Sequence, residues 1–404
     1  MIYQYMDSKA QEYAVFDKNR AKRIFKLLQP HLNLQSYNIH IIGTNGKGST
    51  GRFITQSIIE SNHKVLHFTS PHIFDFKERF YANDGIVSLE TLIQAHLFLQ
   101  QFDFIQEASY FEYATFLALT LGQDCDYLVM EAGIGGEFDS TSVLHYDMTI
   151  FTRIGLDHKE MLGNDLKSIA KTKLRAAQGV IFTHFQEKET LKLLQNLKDI
   201  MPKDTQQEVF EIIHLQKSDM EKQEIKAYIK KHEIPYFLKE NLSLAYIALQ
   251  HINISLLQNK LDLAGRFEIV EKNIVVDVGH NVMAAISTLA EAKKYFNNKP
   301  FVLIYNSYKD KEVADILKIF KNYITEIIIF MIENERIMNV VEMQNILDSI
   351  SLPYVFYCQD KRKLDMFPKK LIESEKVLQK DKNYLVFGSF SLVEHFLLWF
   401  KCYT

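Results

Sequence analysis

Asn38–Ile42 reads NIHII, Gly43–Thr50 reads GTNGKGST, and Ser49–Ser61 runs on as STGRFITQSIIES. The first stretch is a short apolar run of the kind that makes a strand buried on both faces, and the last is long and apolar enough for a helix. A glycine-rich loop between a strand and a helix lets backbone N–H groups encircle phosphate oxygens, and the helix N-terminus adds its positive dipole end. In this loop Thr44, Asn45, Gly46 and Gly48 bring backbone to the phosphates. Lys47 reaches the β/γ-phosphates, and Ser49 or Thr50 is the hydroxyl placed near phosphate and Mg²⁺. The common G-x-x-x-x-G-K-[ST] pattern is not met, because Ile41 stands where its first glycine belongs and Gly48 follows the lysine. The structural alternative is a tight βα turn carrying a surface lysine.

Glycine usage singles out the same place. The chain has 404 residues and 15 glycines, of which four fall in Gly43–Gly51 and three in Gly133–Gly136. A chain that otherwise avoids glycine concentrates it where backbone bends sharply or approaches a ligand. Outward from the loop, Lys64–Phe68, Tyr127–Glu131, Met148–Arg153 and Val180–Thr183 read as further short strands with helical stretches between some of them. That alternation predicts α/β architecture, a parallel sheet covered by helices. After the helical stretch Asn241–Leu256 and a short connection, Asp262–Arg266, a second alternation begins. It has strands at Ile274–Asp277, Phe301–Tyr305, Glu326–Met331, Tyr354–Tyr357 and Tyr384–Phe387. Helices are read at Val282–Tyr295, Lys311–Phe320 and Val341–Ile350. The chain is too long for one ordinary core, which stops growing near ~250–300 residues. The expected division is a P-loop-type ATPase domain over 1–262 and a smaller Rossmann-like α/β domain over 263–404.

Composition excludes several classes. Net charge is −3 with no Lys/Arg block, which argues against a nucleic-acid partner. The N-terminal MIYQYMDSKAQEY has no apolar segment of signal-peptide type, and no run of about 18 apolar residues appears that would span a membrane. Cys125, Cys358 and Cys402 are scattered with no metal-type spacing, which fits a reducing cytoplasm.

Other segments carry chemistry-bearing residues. Thr69-Ser70-Pro71-His72 follows the second strand, with Phe76-Lys77-Glu78-Arg79 soon after; Ser-Pro alone is a turn signal. Glu131 ends a buried strand and opens EAGIGGEFDST. An acidic residue there stands at the ligand edge of a parallel sheet, and Mg²⁺ needs only one or two carboxylates beside phosphates and waters. Asp157–Gly163 reads DHKEMLG, and Lys173 lies fifteen residues beyond His158. Helical spacing puts Lys173 on a face with Ile169. Ser109–Thr115 reads SYFEYAT, Leu263–Glu268 reads LAGRFE and Val276–Asn281 reads VDVGHN. The planar fork of an arginine such as Arg266 suits phosphate.

Taken in order, these segments resemble the Mur ligases, and especially their folylpolyglutamate synthase branch. GTNGKGST is similar to the phosphate loop of that branch, TSPH and FKER to its T-S-P-H and F-x-E-R elements, and EAGIGGEFDSTS to its E-V-G-L-G-G-R-x-D-A-T-N. DHKEMLG is similar to D-H-x-x-x-L-G, LAGRFE to P-G-R-x-E, VDVGHNV to D-x-A-H-N-P, and Phe387-Gly388-Ser389 with Leu392-Val393 to a closing G-S-x-x-L-V. The resemblance implies Mg²⁺ at two sites, held by Ser70, Glu131 and His158, and a carbamylated lysine at Lys173. It also implies that Asn241, Arg266 and Asp277 help bind ATP, with His280 near the same cleft. SYFEYAT resembles the F-F-E-x-x-T segment that contacts dihydropteroate in bifunctional bacterial members, which assigns Tyr110, Phe111 and Glu112, with Asp139, to the pterin. A carbamate further requires an amine that is neutral, by desolvation or by a neighbouring cation. The chain departs from the pattern at Glu137 (family arginine), Ser142 (asparagine), Leu174-Arg175-Ala176 (A-G-I), Ala264 (proline), Gly279 and Val282.

The implied reaction is ATP-dependent joining of L-glutamate to dihydropteroate, together with glutamylation of folates, through an acyl phosphate. Lys47, His158 and Lys173 are its expected catalytic groups. Both groups of nucleotide-binding residues touch ATP only if the two domains close on it. The expected partners are small molecules, with no nucleic acid and no membrane, and a monomer is expected. Three alternatives stay open: a folylpolyglutamate synthase alone; a peptidoglycan-type Mur ligase, against which stand the mere 42 residues before the loop; and a nucleotide-binding regulatory protein without catalysis.

Overall fold

The computed structural model describes residues 2–9, 17–202, 209–358, 371–372 and 377–403. Residues 10–13 of the N-terminal stretch read above lie outside the described residues; Ile2–Ser8 of it form a helix. The chain separates into two compact units, Met1–Asp262 and Leu263–Thr404.

The larger unit is built on an eight-stranded sheet. Its strands are β1 (Tyr37–Ile42), β2 (Val65–Phe68), β3 (Phe80–Ala82), β4 (Gly85–Ile86), β5 (Tyr127–Glu131), β6 (Met148–Phe151), β7 (Gly179–Thr183) and β8 (Val209–His214), in the order β4-β3-β2-β5-β1-β6-β7-β8. The β2-β5-β1-β6-β7-β8 part is parallel. The expectation of a parallel sheet therefore holds for its body, and the β3–β4 hairpin adds an antiparallel edge beside β2.

Both faces of the sheet are covered, which is why its strands read as near-continuous apolar runs. Alternate residues enter opposite cores. Leu66, Phe68, Leu128 and Met130 join one cluster, with Leu92, Phe116 and Leu117. Val65 and Val129 join the other, with Ile39, Ile41, Phe53, Ile58, Leu242 and Leu249. The helix Lys47–Glu60 is buried from Gly48 through Ile58 and packs in this second core with the helix Tyr236–His251. That packing brings Asn241 to the phosphate loop.

The smaller unit has a six-stranded sheet, ordered β13-β12-β11-β14-β10-β9. Here β9 is Glu268–Glu271, β10 Ile274–Asp277, β11 Phe301–Tyr305, β12 Ile324–Phe330, β13 Tyr354–Tyr357 and β14 Tyr384–Phe387. All neighbours are parallel except the β9–β10 edge pair. Among the described residues no helix is long and apolar enough to cross a membrane.

Candidate active site

Open α/β sheets bind ligands beyond the carboxyl ends of their strands. The segments that leave β1, β2, β5 and β6 at that edge carry most of the residues singled out in the sequence.

The loop after β1 is fixed by its glycines and by its neighbours. Gly46 caps the helix Lys47–Glu60 with φ +89°, a left-handed conformation that glycine adopts without steric cost. A β-carbon there would also sit 2.5 Å from Asn241 Oδ1, so Asn241 is packed directly against the turn. Thr44 N donates to Arg153 O at 2.8 Å, and Thr44 Oγ1 lies 3.0 Å from Gly155 O. Ser49 and Thr50 are buried in the first turn, and Thr50 Oγ1 finds no hydrogen-bond partner among the described residues.

Lys47 Nζ is 3.7 Å from Glu131 Oε1 and 3.4 Å from Thr44 O. Glu131 is buried at the end of β5. Its Oε2 accepts from Thr69 Oγ1 and from Ser70 N at 3.3 Å. Lys47, Thr69, Ser70 and Glu131 therefore form one cluster from three strand ends. Thr69 was not assigned a role in the sequence reading. It is the group that orients the carboxylate, and its place directly before Ser70 was the available signal.

Lys173 lies on the same side. It is 4% exposed, and its Nζ donates to Gly43 O at 2.8 Å. Burial, with the Lys47 cation nearby, pushes its amine down to about 7, against the weaker pull of Asp157 and Asp139. Near neutral pH a substantial share of Lys173 is therefore the free amine, the form that adds CO₂.

The glycine-rich segment after β5 rides on the helix that ends at Leu174. A β-carbon on Gly136 would lie 2.8 Å from Lys173 O and 2.9 Å from its Cα, and Glu137 N donates to Thr172 O at 2.9 Å. Glu137 pairs with Arg175 at 3.1 Å, and Arg175 Nε donates to Ile200 O at 2.8 Å. Two of the departures from the family pattern thus meet as an ion pair. The anion at 137 has its own cation and does not stand as a bare inverted charge. Asp139 is buried. Its carboxylate accepts from Ile134 N at 2.8 Å, Thr141 N at 3.0 Å and Thr141 Oγ1 at 2.6 Å. Desolvation raises its pKa, with those hydrogen bonds opposing. Asp139 organises this turn from within.

His158 precedes the short helix Lys159–Leu162 with φ +49°, and its Nε2 lies 3.9 Å from Asp157 Oδ2.

On the pterin side, Phe111 lies against Gly133, where a β-carbon would be 2.5 Å from its ring, and pairs with Phe68 at 5.7 Å. Tyr110 sits 5.8 Å from the Phe76 ring and 5.4 Å from the Arg79 guanidinium. Arg79 in turn donates through Nε to His72 Nδ1 at 3.0 Å, so the TSPH and FKER elements are joined. Glu112 Oε2 closes a capping box with Ser109 N at 2.7 Å and takes Arg20 Nε at 2.7 Å. That oxygen serves a helix N-terminus and an ion pair, which is the structural alternative for the segment.

In the smaller unit, Asp277 ends β10. It accepts from Phe267 N at 2.9 Å and Gly279 N at 2.7 Å. Burial raises its pKa, and the Arg266 and His280 charges oppose. The Arg266 guanidinium is 5.3 Å from the Phe390 ring, and the His280 ring is 6.2 Å from it. These three residues gather around one edge of that unit's sheet.

No group of three or more His, Cys, Asp or Glu side chains with metal-holding geometry occurs among the described residues. Mg²⁺ bound with a nucleotide needs fewer, because phosphates and waters complete its shell. Glu131 beside Ser70, and the orphaned buried hydroxyl of Thr50, are oxygen donors of the type it takes. The residues present therefore fit one Mg²⁺ held together with phosphate.

Residues 265–390 match the family model described as Mur ligase, glutamate ligase domain. The chain is 27% identical to the dihydrofolate synthase/folylpolyglutamate synthase of Buchnera aphidicola subsp. Schizaphis graminum, over 95% of this chain and 94% of that one. The crystal structure of Helicobacter pylori folylpolyglutamate synthetase superposes with a TM-score of 0.75 at 35% identity, covering 99% of this chain and 98% of the other. The Yersinia pestis bifunctional folylpolyglutamate synthase/dihydrofolate synthase, complexed with AMPPNP and Mn ion, shares the fold at TM-score 0.76 and 17% identity, covering 99% and 97%.

Proposed function

The chain belongs to the folylpolyglutamate synthase family of Mur ligases, and from that premise we propose that it joins L-glutamate to dihydropteroate and adds further glutamates to folates. It is an ATP-dependent ligase that forms a carbon–nitrogen bond. The observation that carries the reading is the meeting of Lys47, Glu131 and Lys173 at the Gly43–Thr50 loop, with Lys47 Nζ 3.7 Å from Glu131 and Lys173 Nζ 2.8 Å from Gly43 O.

In the first step a carboxylate oxygen of the acceptor attacks the γ-phosphorus of ATP. A P–O bond forms to the acceptor, the bond to the β–γ bridging oxygen breaks, and ADP leaves. The loop's part is positioning and charge neutralisation. Lys47 and the N-terminal turn of its helix meet the phosphate oxygens, while Gly46 lets backbone approach them. Glu131, Ser70 and Thr50 would hold Mg²⁺, with His158 reserved for a second ion; such an ion offsets charge on the transferred phosphoryl group. In the second step the glutamate amine attacks the acyl carbonyl, loses a proton, and phosphate leaves. Lys173, partly neutral near pH 7, adds CO₂ through a new N–C bond and loses a proton. This exchanges the neutral amine for an anion beside Gly43. Asn241 in the larger unit, and Arg266, Asp277 and His280 in the smaller, are the further candidates for nucleotide binding. In this reading the protein is a cytoplasmic monomer, and every residue invoked lies in one chain.

A second reading, folylpolyglutamate synthase alone, is favoured by one observation: Glu112 Oε2 is taken by Arg20 and by the helix N-terminus, which leaves less of that carboxylate for a pterin edge. The test is ADP release with ATP, Mg²⁺ and glutamate, comparing dihydropteroate with a reduced folate as acceptor. Turnover with both supports the first reading. Turnover with folate alone supports the second and returns Tyr110, Phe111 and Glu112 to core packing.

A further inference from the structure

The phosphate loop is gripped from two sides, and an ion pair ties the two sides together. On one side the chain leaving β6 accepts Thr44 N at 2.8 Å and Asn45 N at 3.4 Å through the Arg153 carbonyl. On the other, the helix Tyr236–His251 presses Asn241 against Gly46, leaving no room for a β-carbon. Glu240, the residue before Asn241, receives the Arg153 guanidinium on both carboxylate oxygens at 3.1 Å. His184 Nε2 approaches the same carboxylate at 3.5 Å. The side chains of Glu240 and His184 are 12% and 1% exposed. Burial alone would raise the Glu240 carboxyl, yet His184 and Arg153 hold it below its ordinary range. Neither Arg153 nor Glu240 belongs to a motif that marks the loop itself, and they are 87 positions apart.

We propose that the Arg153–Glu240 pair is a positioning clamp for the phosphate loop, setting the gap between the β6 exit that holds Thr44 and Asn45 and the helix that seats Asn241 on Gly46. The inference rests on the reading of Gly43–Thr50 as a nucleotide phosphate loop. Arg153 and Glu240 act through that loop, so their loss falls on nucleotide binding before it falls on the other substrates.

The test is equilibrium binding of a fluorescent ADP analogue to the full chain, beside steady-state kinetics. Arg153→Gln and Glu240→Gln are each expected to raise the Kd for ADP about tenfold, a coupling of about 1.4 kcal/mol. KM for ATP should rise in parallel, while KM for glutamate and for the folate acceptor stays within about twofold. The exchange Arg153→Glu with Glu240→Arg should recover most of the affinity, which a merely structural loss would not. Should Arg153→Gln fail to fold, Arg153→Lys keeps the charge but loses the fork and is expected to weaken ADP by about threefold. An unchanged ADP Kd in a folded Arg153→Gln or Arg153→Lys protein overturns the clamp alone. Equal losses for nucleotide and acceptor also overturn it. A wild-type protein that binds no ADP overturns the phosphate-loop reading itself, and the clamp with it.

Discussion

Replacing Lys173 with methionine should make the protein more stable and nearly inactive. Lys173 is 4% exposed, and its amine is pushed from the ordinary 10.5 to about 7 by burial and by Lys47. At about 1.36 kcal/mol per pH unit this is a cost to folding on the order of 5 kcal/mol. Methionine keeps most of the volume but leaves Gly43 O without its donor at 2.8 Å, a loss of about 1–3 kcal/mol. A net gain of roughly 2–4 kcal/mol remains at pH 6.5. The sign with pH follows from proton counting. Between about 7 and 10.5 the unfolded chain holds a proton on this lysine that the folded protein has lost, so the wild-type protein gains stability as pH rises. The cost is full below pH 7 and gone above 10.5. The assay is thermal unfolding of both proteins in CO₂-free buffer at pH 6.5, 8 and 9.5, following the transition of the larger unit. The variant's midpoint should lie roughly 5–10 °C higher at pH 6.5, and the gap should close towards pH 9.5. Added bicarbonate should stabilise the wild type only, by binding to the folded form. A variant less stable than wild type at pH 6.5, or a gap that does not change with pH, would refute the reasoning.

Other substitutions separate binding, positioning and packing. Lys47→Gln should lower kcat/KM by about 10²–10³-fold, the range for losing one preorganised charge-stabilising group, with its thermal midpoint near that of wild type. Gly46→Ala should weaken ADP binding and cost about 1–3 kcal/mol of stability, because φ is +89° and Asn241 Oδ1 stands 2.5 Å from the new carbon; denaturant titration with and without ADP reads both effects. A double-mutant cycle on Glu137 and Arg175, whose side chains are 14% and 30% exposed, should give a stability coupling of about 0.5–1 kcal/mol. A coupling of zero would make both departures from the family pattern independent surface changes. Glu112→Gln should cost about 1 kcal/mol through the cap and Arg20; a KM for dihydropteroate that stays within about twofold assigns Glu112 to the fold, and a rise beyond tenfold assigns it to the pterin.

The strands of the smaller unit were legible to the residue at Ile274–Asp277, Phe301–Tyr305, Tyr354–Tyr357 and Tyr384–Phe387. They are largely buried apolar runs, each preceded by an asparagine or a proline (Asn273, Pro300, Pro353, Asn383). The edge strands were not. Glu268–Glu271 reads EIVE and alternates between half-buried and exposed, so no apolar run marks it. Phe80–Ala82 and Gly85–Ile86 are too short to carry periodicity, although Asp84-Gly85, with Gly85 at φ +94°, is a hairpin signal that could have located them. The helix containing Asn241 begins at Tyr236, after Pro235 at its N-cap, five residues earlier than its apolar pattern suggested, and it ends at His251 rather than Leu256.

For the site, the sequence supplied the residues but not their partners. Lys47, Ser70, Glu131 and Lys173 could be named from motifs. That Thr69 orients Glu131 across 62 positions, or that Glu137 finds Arg175 across 38, depends on which strand ends the sheet order brings together. Local spacing holds no record of such pairings, and the charge on Glu137 looked anomalous only until its partner was in view.

The central claim is tested most directly by following labelled L-glutamate and ADP together in one reaction with ATP, Mg²⁺ and either dihydropteroate or a reduced folate. The expected result is one glutamate incorporated per ADP formed, with incorporation lost in Lys47→Gln. ATP breakdown without glutamate incorporation, or no reaction with either acceptor, would contradict it.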